Sequence, residues 1–368
     1  MPWSGRQGFG SRPLRIAMVS TPFVPVPPPR YGGTELIVQE LVENLARAGQ
    51  RVTLFATGDS RPRCPAEWLY EQAVWPPHPL PELAHAAWAA ERIRADGGYD
   101  LVHAHVAAFL PLAGVVGVPV VYTVHHDRDE AYAAFYARMT GPITYVPISR
   151  RQGELHPELR RRRVIHHGLD PAQYPFGERG RGYLAFLGRL SEVKGPDVAI
   201  DVARALSREL RIGGRPHETD AAFYAEQLAS RLEEPHVRRL GELSHGPKVE
   251  LLRGADALLF PIRWEEPFGL VMIEAMLCGC PVVAFRGGAV EEVVEPGVTG
   301  FLAEDEADMV RLCRDEVPRL DRRRVRARAV ERFSARRMVD DYLRLYRSAV
   351  AAHARLPSLA AGEGAGRG

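Results

Sequence analysis

The chain has 368 residues, of which 46% are apolar and 26% are charged, and its formal net charge is +2. This composition is typical of a soluble globular protein with room for two domains, and the near balance of charge does not indicate a nucleic-acid partner. No stretch reaches the roughly 18 consecutive apolar residues of a transmembrane helix, and the first residues lack the apolar core of a secretion signal. We therefore expect a cytoplasmic protein without a transmembrane segment, for which contact with a membrane surface stays open.

The four cysteines do not have the spacing of a zinc site or of a redox C-x-x-C pair. They are Cys64, Cys278, Cys280 and Cys313. Two of them flank Gly279 beside a predicted core strand, so we interpret these two as small buried side chains. This cysteine usage is typical of a reducing compartment.

The first half of the chain alternates predicted strands with predicted helices. Short apolar runs predict strands at residues 14–20, 51–56, 101–106, 118–125, 144–148 and 164–165. Apolar residues at helical spacing predict a helix from Thr34, its expected N-cap, to Gly49, and further helices at 81–96 and 129–140. Residues 61–82, which are rich in proline and tryptophan, favour neither element.

The second half repeats this alternation. Strands are predicted at residues 183–187, 210–212, 237–240, 255–261, 281–285 and 300–302. Helices are predicted at residues 197–207, 220–233, 247–253 and 290–294, and another one follows the strand at 255–261 and continues through residues 275–277. Long helices are predicted between 307 and 353. The Gly/Ala-rich tail at 357–368 is expected to be disordered.

Two successive β/α series predict an α/β fold of two Rossmann-like, doubly wound parallel sheets that face each other across a deep cleft. We place the first domain at 1–172 and the second at 173–334, with a helix at 335–356 that packs back toward the first domain. Ligands of open α/β sheets bind at the carboxyl ends of the strands, where most glycine clusters of this chain lie. An active site between the domains is the natural hypothesis.

The clearest motif is W-E-E-P-F-G-L-V-M-I-E at residues 264–274, between a predicted buried strand and a helix. Two carboxylates, Glu266 and Glu274, bracket the turn. Pro267 suits the first turn of the helix, and Gly269 lets a ligand approach the backbone. The N–H groups and positive dipole end of a helix N-terminus bind anions, while carboxylates need donors such as hydroxyls. The motif predicts a site for a phosphorylated, polyhydroxylated molecule.

Two further segments carry glycines at predicted strand ends or helix starts. Arg189 and Lys194, framed by two glycines, follow the first strand of the second domain. Both side chains can reach a diphosphate. Arginine binds it through two parallel N–H groups, and lysine through the compact charge of its ammonium. Gly32 and Gly33 open the first helix and would close over the same phosphates from the other domain. A surface ion pair or a plain tight turn would explain any one of these segments alone.

Together these segments resemble the motifs of family 4 glycosyltransferases. They read G-G-T-E at 32–35, G-R-L-x-x-x-K-G at 188–195, and E-P-F-G at 266–269 followed by Glu274, with E-A-M-L-C-G-C-P-V-V-A and E-P-G-V-T-G-F-L further on. The resemblance covers residues 16–346, nearly the whole chain. It implies the GT-B fold, with the acceptor on the first domain and the donor on the second. It also implies transfer, with retention of configuration, from a nucleotide diphosphate-sugar of UDP or GDP type.

The resemblance implies roles for individual residues. The catalytic candidates are Glu266 and His125, which would contact the donor sugar, and Arg189 and Lys194, which would stabilise the leaving diphosphate. The diphosphate would also contact the backbone of Gly32, Gly33, Phe268, Gly269, Leu270 and Val271. The ribose would contact Glu274, and the base would lie beside Gly213, Gly214 and Arg215. His126, adjacent to His125, is an alternative for the histidine.

Two patterns bear on metal binding. His103 and His105 share one face of a strand, without an identifiable third ligand. Residues 127–129 read D-R-D, which matches the D-x-D signature of another glycosyltransferase fold, but they lie far in sequence from Lys194. We interpret them as loop or helix cap, and we predict no metal requirement and no cofactor besides the nucleotide-sugar co-substrate. His167 replaces the asparagine of the family's N-G-V-D turn, so the resemblance supports a turn there and not a side-chain role.

The acceptor is expected to be a hydroxylated molecule that contacts the loops at 22–31, 57–80 and 104–112. Trp68 and Trp75 make one of these loops aromatic, which favours a small molecule or natural-product glycoside, as in antibiotic biosynthesis. A lipid-linked saccharide, an intracellular compatible solute and a growing polysaccharide are alternatives. Two other functions remain on the same scaffold, a nucleotide-sugar epimerase and a non-catalytic sugar-nucleotide-binding relative. Nucleotide release that depends on added acceptor would distinguish a transferase from an epimerase.

Overall fold

The computed structural model describes residues 12–30 and 32–355 and contains two parallel sheets of six strands each. The first sheet has the order β3-β2-β1-β4-β5-β6, with β1 Arg15–Val19, β2 Arg51–Ala56, β3 Ala66–Trp68, β4 Leu101–Ala104, β5 Val120–Val124 and β6 Ile143–Pro147. The second has the order β12-β11-β10-β7-β8-β9, with β7 Tyr183–Leu187, β8 Glu209–Gly213, β9 Val237–Gly241, β10 Ala257–Phe260, β11 Val282–Phe285 and β12 Gly300–Ala303. These sheets confirm the predicted fold class. The tail at 357–368, predicted to be disordered, lies outside the described residues.

Helices cover both faces of each sheet. Those of the described chain are α1 Gly33–Arg47, α2 Pro79–Asp96, α3 Glu130–Ala137, α4 Arg150–Leu155, α5 Pro196–Ala205, α6 Ala221–Phe223, α7 His245–Gly254, α8 Leu270–Leu277, α9 Val290–Val293, α10 Glu306–Arg311, α11 Arg322–Phe333 and α12 Ala335–His353. Alternate residues of a strand point to opposite faces. In β1, Ile16 and Met18 join the core that includes α1, while Ala17 and Val19 join the core that includes α2. Strands buried on both faces explain the continuous apolar runs in the sequence.

Three local predictions differ from the structure. Helix α1 begins at Gly33 after an N-cap at Gly32, so Thr34 lies inside the first turn and does not cap it. Residues 164–165 do not form a regular strand. The segment pairs with β6 through an isolated bridge between Arg162 and Tyr145 and a hydrogen bond of 3.1 Å from Ile165 N to Pro147 O. Strand β3 lies in the stretch that the sequence left without a prediction.

The predicted helix at 220–233 is irregular. It consists of the single α turn α6 with a π turn at Tyr224–Leu228 and 3₁₀ turns on either side. The helical region after residue 306 is also divided. Pro318 lies in a 3₁₀ turn, and Asp321 and Ser334 cap α11 and α12 with their side chains. These caps satisfy N–H groups that a new helix start leaves without partners. Cys278 and Cys280 are free and buried, as predicted.

The chain crosses between the sheets twice, and the two crossing segments lie side by side. Leu169 N donates to Phe333 O at 2.9 Å, and Ala335 N donates to Leu169 O at 2.8 Å. Helix α12 then contacts the first sheet, where Tyr342 OH and Thr123 Oγ1 lie 2.7 Å apart. The proposed domain limits at 172 and 334 stay predictions. Among the described helices, none combines the length and the apolarity needed to cross a membrane.

Candidate active site

The loop that follows β7, residues 188–195, carries two buried donors without partners. Arg189 lies beside Asp220, with Nε 3.5 Å from Asp220 Oδ2. This buried Nε nevertheless has no hydrogen-bond partner among the described residues, and the same holds for the buried Oγ of Ser191. Because buried polar atoms are almost always hydrogen-bonded, two such donors in one loop indicate a ligand with acceptor atoms.

Lys194, in the same loop, reaches Glu266. Its ammonium donates to Glu266 Oε2, which also accepts a 2.9 Å hydrogen bond from Trp264 Nε1. The ammonium lies 4.5 Å from the centre of the Trp264 ring, within cation–π range. An ammonium has three donors, so this arrangement leaves donors of Lys194 for a ligand. The structure thus brings together two predicted residues from separate motifs.

Helix α8 begins directly after the E-P-F-G segment. Gly269, at φ +80°, is its N-cap, and Leu270 is the first helical residue. Pro267 therefore precedes the helix and does not occupy its first turn, because the left-handed glycine makes the turn instead. No side chain caps α8, so its first N–H groups are available to an anion. Phe268 is buried next to this N-terminus.

Glu274 lies one turn further along α8 and is 4% exposed. Its Oε1 accepts hydrogen bonds from the ammonium of Lys248, on α7, and from Tyr174 OH at 3.2 Å. Each glutamate of the motif therefore forms an ion pair with a lysine: Glu266 with Lys194, and Glu274 with Lys248. Neither Lys248 nor Tyr174 belongs to a motif that the sequence singled out.

The predicted base-binding residues lie where β8 ends. Gly213 is the last residue of β8, and Gly214 and Arg215 line a cavity of about 480 Å³. Gly214 approaches the loop of Arg189 so closely that a Cβ there would lie 1.9 Å from Gly188 O. Arg215 forms an ion pair of 3.6 Å with Glu242. Only a glycine allows the two loops to meet in this way.

The first domain approaches α8 at Gly33, the second of its two adjacent glycines. A Cβ at Gly33 would lie 3.4 Å from Leu270 Cδ1, and one at Gly32 would lie 2.7 Å from Pro28 Cβ. Arg30, in the same loop, lies 3.7 Å from Glu242 of the second domain. The structure therefore places Gly33 next to Leu270, the first residue of α8.

His125 follows β5 and stands in a row of rings that joins the domains. Its Nε2 is 2.7 Å from His105 Nδ1, and its ring stacks on His167 with 5.5 Å between centroids. His167 meets the Phe268 ring edge-on at 5.1 Å. Burial lowers the pKa of His125 to about 3 and the pKa values of His105 and His167 well below the usual range. This row is therefore neutral at pH 7.

His126, the alternative to His125, turns away from the second domain. Its Nε2 hydrogen-bonds Tyr136 OH, and its ring stacks on Tyr132 with 4.0 Å between centroids. Between these adjacent histidines, His125 is the one that stacks on His167 and so connects to Phe268 of the E-P-F-G segment. His167, for which the sequence supported no side-chain role, supplies the contact.

Three residues of the two metal patterns, His103, His105 and Asp129, are engaged in other contacts. His103 hydrogen-bonds Thr123 at 2.8 Å and Tyr346 at 2.7 Å, and His105 bonds His125. Asp129 caps the N-terminus of α3, which confirms the interpretation of the D-R-D segment. Within the described ranges, no group of three or more His, Cys, Asp or Glu side chains is arranged to hold a metal ion. Metal independence stays a prediction.

We expect the free energy of unfolding to fall as the pH drops below about 6.5, the usual histidine pKa. Burial lowers the pKa values of seven histidines, His85, His103, His105, His125, His126, His167 and His217. Below pH 6.5 the unfolded chain binds protons that the folded chain excludes, so each of these histidines lowers the free energy of unfolding by at most about 1.4 kcal/mol per pH unit until its folded pKa is reached. Urea unfolding at pH 7.5, 6.0 and 5.0 checks this, and His105→Gln should reduce the slope. Equal stability at all three pH values would contradict it.

Comparison with known proteins assigns the chain to a family. Residues 31–173 match the family model "Glycosyltransferase Family 4", and residues 176–314 match "Glycosyl transferases group 1". A D-inositol 3-phosphate glycosyltransferase from Kribbella flavida is 30% identical over 361 residues, which span 79% of this chain and 84% of that relative. The chain belongs to glycosyltransferase family 4.

Solved structures resemble this family 4 glycosyltransferase over both sheets. AviGT4, a glycosyltransferase involved in avilamycin A biosynthesis, is 25% identical, with a TM-score of 0.69 over 92% of this chain and 99% of that structure. Anabaena Alr3699/HepE in complex with UDP and glucose is 20% identical, also with a TM-score of 0.69, over 91% and 100% of the two chains. The protein has the GT-B fold.

Three residues at this candidate site, Tyr174, Ser191 and Lys248, were not singled out from the sequence, and Trp264 was quoted within its motif without a role. One signal could have found Lys248. Only two of the 48 basic residues are lysines, Lys194 and Lys248, and the structure pairs them with the two motif glutamates. A compact ammonium and a planar guanidinium are not interchangeable, so lysines in an arginine-dominated chain mark positions that need the smaller cation. Tyr174 is 100 residues from Glu274 in sequence, and no pattern marks it.

Proposed function

We propose that this glycosyltransferase moves a sugar from a nucleoside diphosphate donor of UDP or GDP type to an acceptor hydroxyl, with retention and without a metal ion. The observation that carries the proposal is the loop at 188–195, where the buried, unpartnered Arg189 Nε and Ser191 Oγ accompany Lys194. A diphosphate supplies both the acceptor oxygens and the negative charge that suit these donors. The N-terminus of α8 adds N–H groups and a positive dipole end.

The chemistry we expect is electrostatic. Negative charge develops on the diphosphate as its bond to the sugar breaks, and Lys194 and Arg189 stabilise that charge. Glu266 is held by Lys194 and Trp264, a setting that suits binding of sugar hydroxyls better than nucleophilic attack. With no protein nucleophile, the acceptor oxygen attacks on the face from which the diphosphate leaves, and a phosphate oxygen takes its proton. This order of events retains the anomeric configuration.

His125 and Glu274 would complete the donor site. The neutral His125 can offer a hydrogen bond to the donor sugar without repelling the cationic character that develops at the reacting carbon. Glu274 would bind the ribose hydroxyls through Oε2, because Oε1 is occupied by Lys248 and Tyr174. Gly213, Gly214 and Arg215 would contact the base.

We place the reaction in the cytoplasm, with a small molecule or natural-product glycoside as acceptor. The buried free cysteines fit a reducing compartment. AviGT4, at 25% identity, is involved in avilamycin A biosynthesis, which supports an acceptor of the natural-product class.

A nucleotide screen followed by a transfer assay tests the proposal. Thermal unfolding is measured with UDP, GDP and other nucleoside diphosphates, and a ligand at 100 times its Kd should stabilise the fold by about 2.7 kcal/mol. Sugar nucleotides with the preferred base are then incubated with hydroxylated acceptors, with and without EDTA, and the product linkage is determined by NMR. Stabilisation by no diphosphate contradicts the donor site. An inverted product or a requirement for metal contradicts the mechanism.

Lys248→Met is expected to raise the Kd of the preferred nucleoside diphosphate by about tenfold, which is about 1.4 kcal/mol. Removing the ammonium leaves the buried Glu274 carboxylate without its charged partner, so the group that binds ribose is no longer held. Isothermal titration calorimetry measures the effect. The double variant Lys248→Met, Glu274→Gln should regain stability but not affinity. An unchanged Kd in Lys248→Met would show that Lys248 does not contribute to donor binding.

A further inference from the structure

The first turn of α4, a helix of the first domain, contacts segments of both domains. It is hydrogen-bonded to the chain on either side of His125 in the first domain and to the residue that precedes Glu266 in the second. His125 and Glu266 are the two side chains that would face the donor sugar from opposite domains. The contacts of this turn therefore affect the position of both.

Gln152, in this turn, holds the backbone on both sides of His125. Its side-chain Nε2 donates to Val124 O at 3.1 Å and to His126 O at 2.7 Å, and its Oε1 accepts a hydrogen bond of 2.7 Å from Ile148 N. Gln152 is 3% exposed, and a buried polar group whose hydrogen bonds are all made is rigid. Because the two carbonyl groups flank His125, the amide fixes the direction in which the imidazole leaves the chain.

Glu292, on α9 of the second domain, binds the start of α4. Its carboxylate oxygens accept hydrogen bonds from Arg150 N at 2.9 Å and from Arg151 N at 2.8 Å, and His166 Nε2 lies 2.9 Å from Oε2. Burial by itself would raise the pKa of this carboxyl group, but the hydrogen bonds from His166, Arg150 and Arg151 hold the pKa below its usual value. Glu292 is therefore ionised at pH 7, and a charge from the second domain satisfies the first N–H groups of α4.

The side chain of Arg151 binds the residue next to Glu266. Its Nε and Nη2 donate to the two carboxylate oxygens of Glu265 at 3.0 and 2.8 Å, a two-point contact that fixes orientation as well as distance. Glu265 Oε2 also accepts a hydrogen bond of 3.0 Å from Gly288 N. The next residue, Ala289, donates its N–H to Glu266 O at 2.8 Å. The backbone of Glu266 thus belongs to a network whose outer member is an arginine of the first domain.

We propose that the first turn of α4 aligns His125 with Glu266 on either side of the donor sugar. Its positioning residues are Arg151 and Gln152, which act through the groups that they hold. This inference rests on the proposed function. Adjacent residues of one helical turn keep a fixed separation, so the turn sets the relative position of the two groups while the domains are in contact. The side chains of Arg151 and Glu265 are 43% and 47% exposed, so this ion pair contributes little to stability and acts on geometry.

Arg151→Ala tests the link to Glu266. We expect kcat for transfer to fall about tenfold, because Glu265 loses its anchor while the contacts of Glu292 with the backbone of α4 limit the displacement. The Kd of the preferred nucleoside diphosphate and the urea midpoint should not change, since the pair is exposed and lies outside the loop at 188–195. Arg151→Lys keeps the positive charge and should recover part of kcat.

Arg204→Ala is the matched control for this variant. Arg204 makes the same two-point contact with Glu234, with its Nε 2.9 Å from Oε2 and its Nη2 2.6 Å from Oε1, and its side chain is 49% exposed. Both residues belong to the second domain, so Arg204→Ala should leave kcat unchanged. The double variant Arg151→Ala, Glu265→Gln should lose no more activity than the more impaired single variant, because both changes break one contact. Additive losses would contradict that coupling.

Gln152→Met tests the link to His125. The methionine has nearly the same volume but cannot donate to the two carbonyl groups, so we expect kcat to fall about 10²-fold. With ¹³C-labelled histidine, the imidazole signal of His125, assigned by its loss in His125→Asn, should shift. Gln50→Met is the control, because Gln50 also bonds two backbone groups, Leu14 N at 3.0 Å and Ala48 O at 2.9 Å. It should leave kcat and that signal unchanged.

Diphosphate binding and transfer by the unmodified protein are measured before any variant. A protein that binds no nucleoside diphosphate or transfers no sugar contradicts the proposed function and this inference with it. Arg151 is only partly buried, so the test does not depend on whether Gln152→Met folds. In a protein that binds and transfers, a kcat of Arg151→Ala or of folded Gln152→Met within about twofold of its control overturns this inference alone.

Discussion

Lys194→Ala is expected to lower kcat by about 10²–10³-fold while the chain remains folded, as is typical when one group that stabilises the transition state is removed. The variant loses the ammonium that would stabilise the leaving diphosphate, but Trp264 Nε1 still donates to Glu266. Steady-state release of nucleotide from the preferred sugar nucleotide measures kcat and KM, and circular dichroism verifies the fold. We expect KM for the donor to change less than kcat, because the charge matters most as the bond breaks.

Two further variants separate the charge of Lys194 from its shape. Lys194→Arg keeps the positive charge but replaces the compact ammonium by a larger, planar guanidinium. We therefore expect its kcat to lie between that of Lys194→Ala and that of the unmodified protein. Arg161→Ala removes an exposed cation at the amino edge of the first sheet and should leave kcat unchanged. A kcat of Lys194→Ala within threefold of the unmodified protein would contradict the assignment of this loop to the diphosphate.

Gly288→Ala is expected to lower kcat by about 10²-fold, because a small displacement of a positioned group has an effect of that size. Gly288 has φ +57°, and a Cβ there would lie 2.1 Å from Glu266 O and 2.2 Å from Glu266 N. The neighbouring Ala289 N donates to Glu266 O at 2.8 Å. An added methyl group therefore has to move the backbone that carries Glu266. Steady-state kinetics and urea unfolding measure the two effects.

Gly297→Ala is the matched control for this backbone effect. Gly297 has a similar positive φ of +73°, but a Cβ there meets no atom within 4 Å. Both variants carry the strain of alanine in the left-handed region, about 1–2 kcal/mol. Only Gly288→Ala also displaces Glu266, so only it should lose activity. Equal loss of activity in both would show that strain, and not the displacement of Glu266, is responsible.

The motifs predicted that the loops at the strand ends lie at one edge of the sheet, because the carboxyl ends of parallel strands meet there. The structure pairs β7 with β10, so the loops that follow these two strands are neighbours. Lys194 and Glu266 are 72 residues apart and form an ion pair there. The partners of Glu274 were not predictable in this way. Tyr174 comes from the segment between the domains and Lys248 from the side of α7, and neither position is determined by strand order.

The sequence by itself determined the two sheets, their parallel strands and the loops that carry Glu266, Glu274, Arg189 and Lys194. Apolar runs and glycine positions are local signals, and they are sufficient for these features. Only the tertiary structure decided between His125 and His126. Their chain positions are adjacent, but stacking on His167 holds one ring toward the donor side, and Tyr132 and Tyr136 hold the other away.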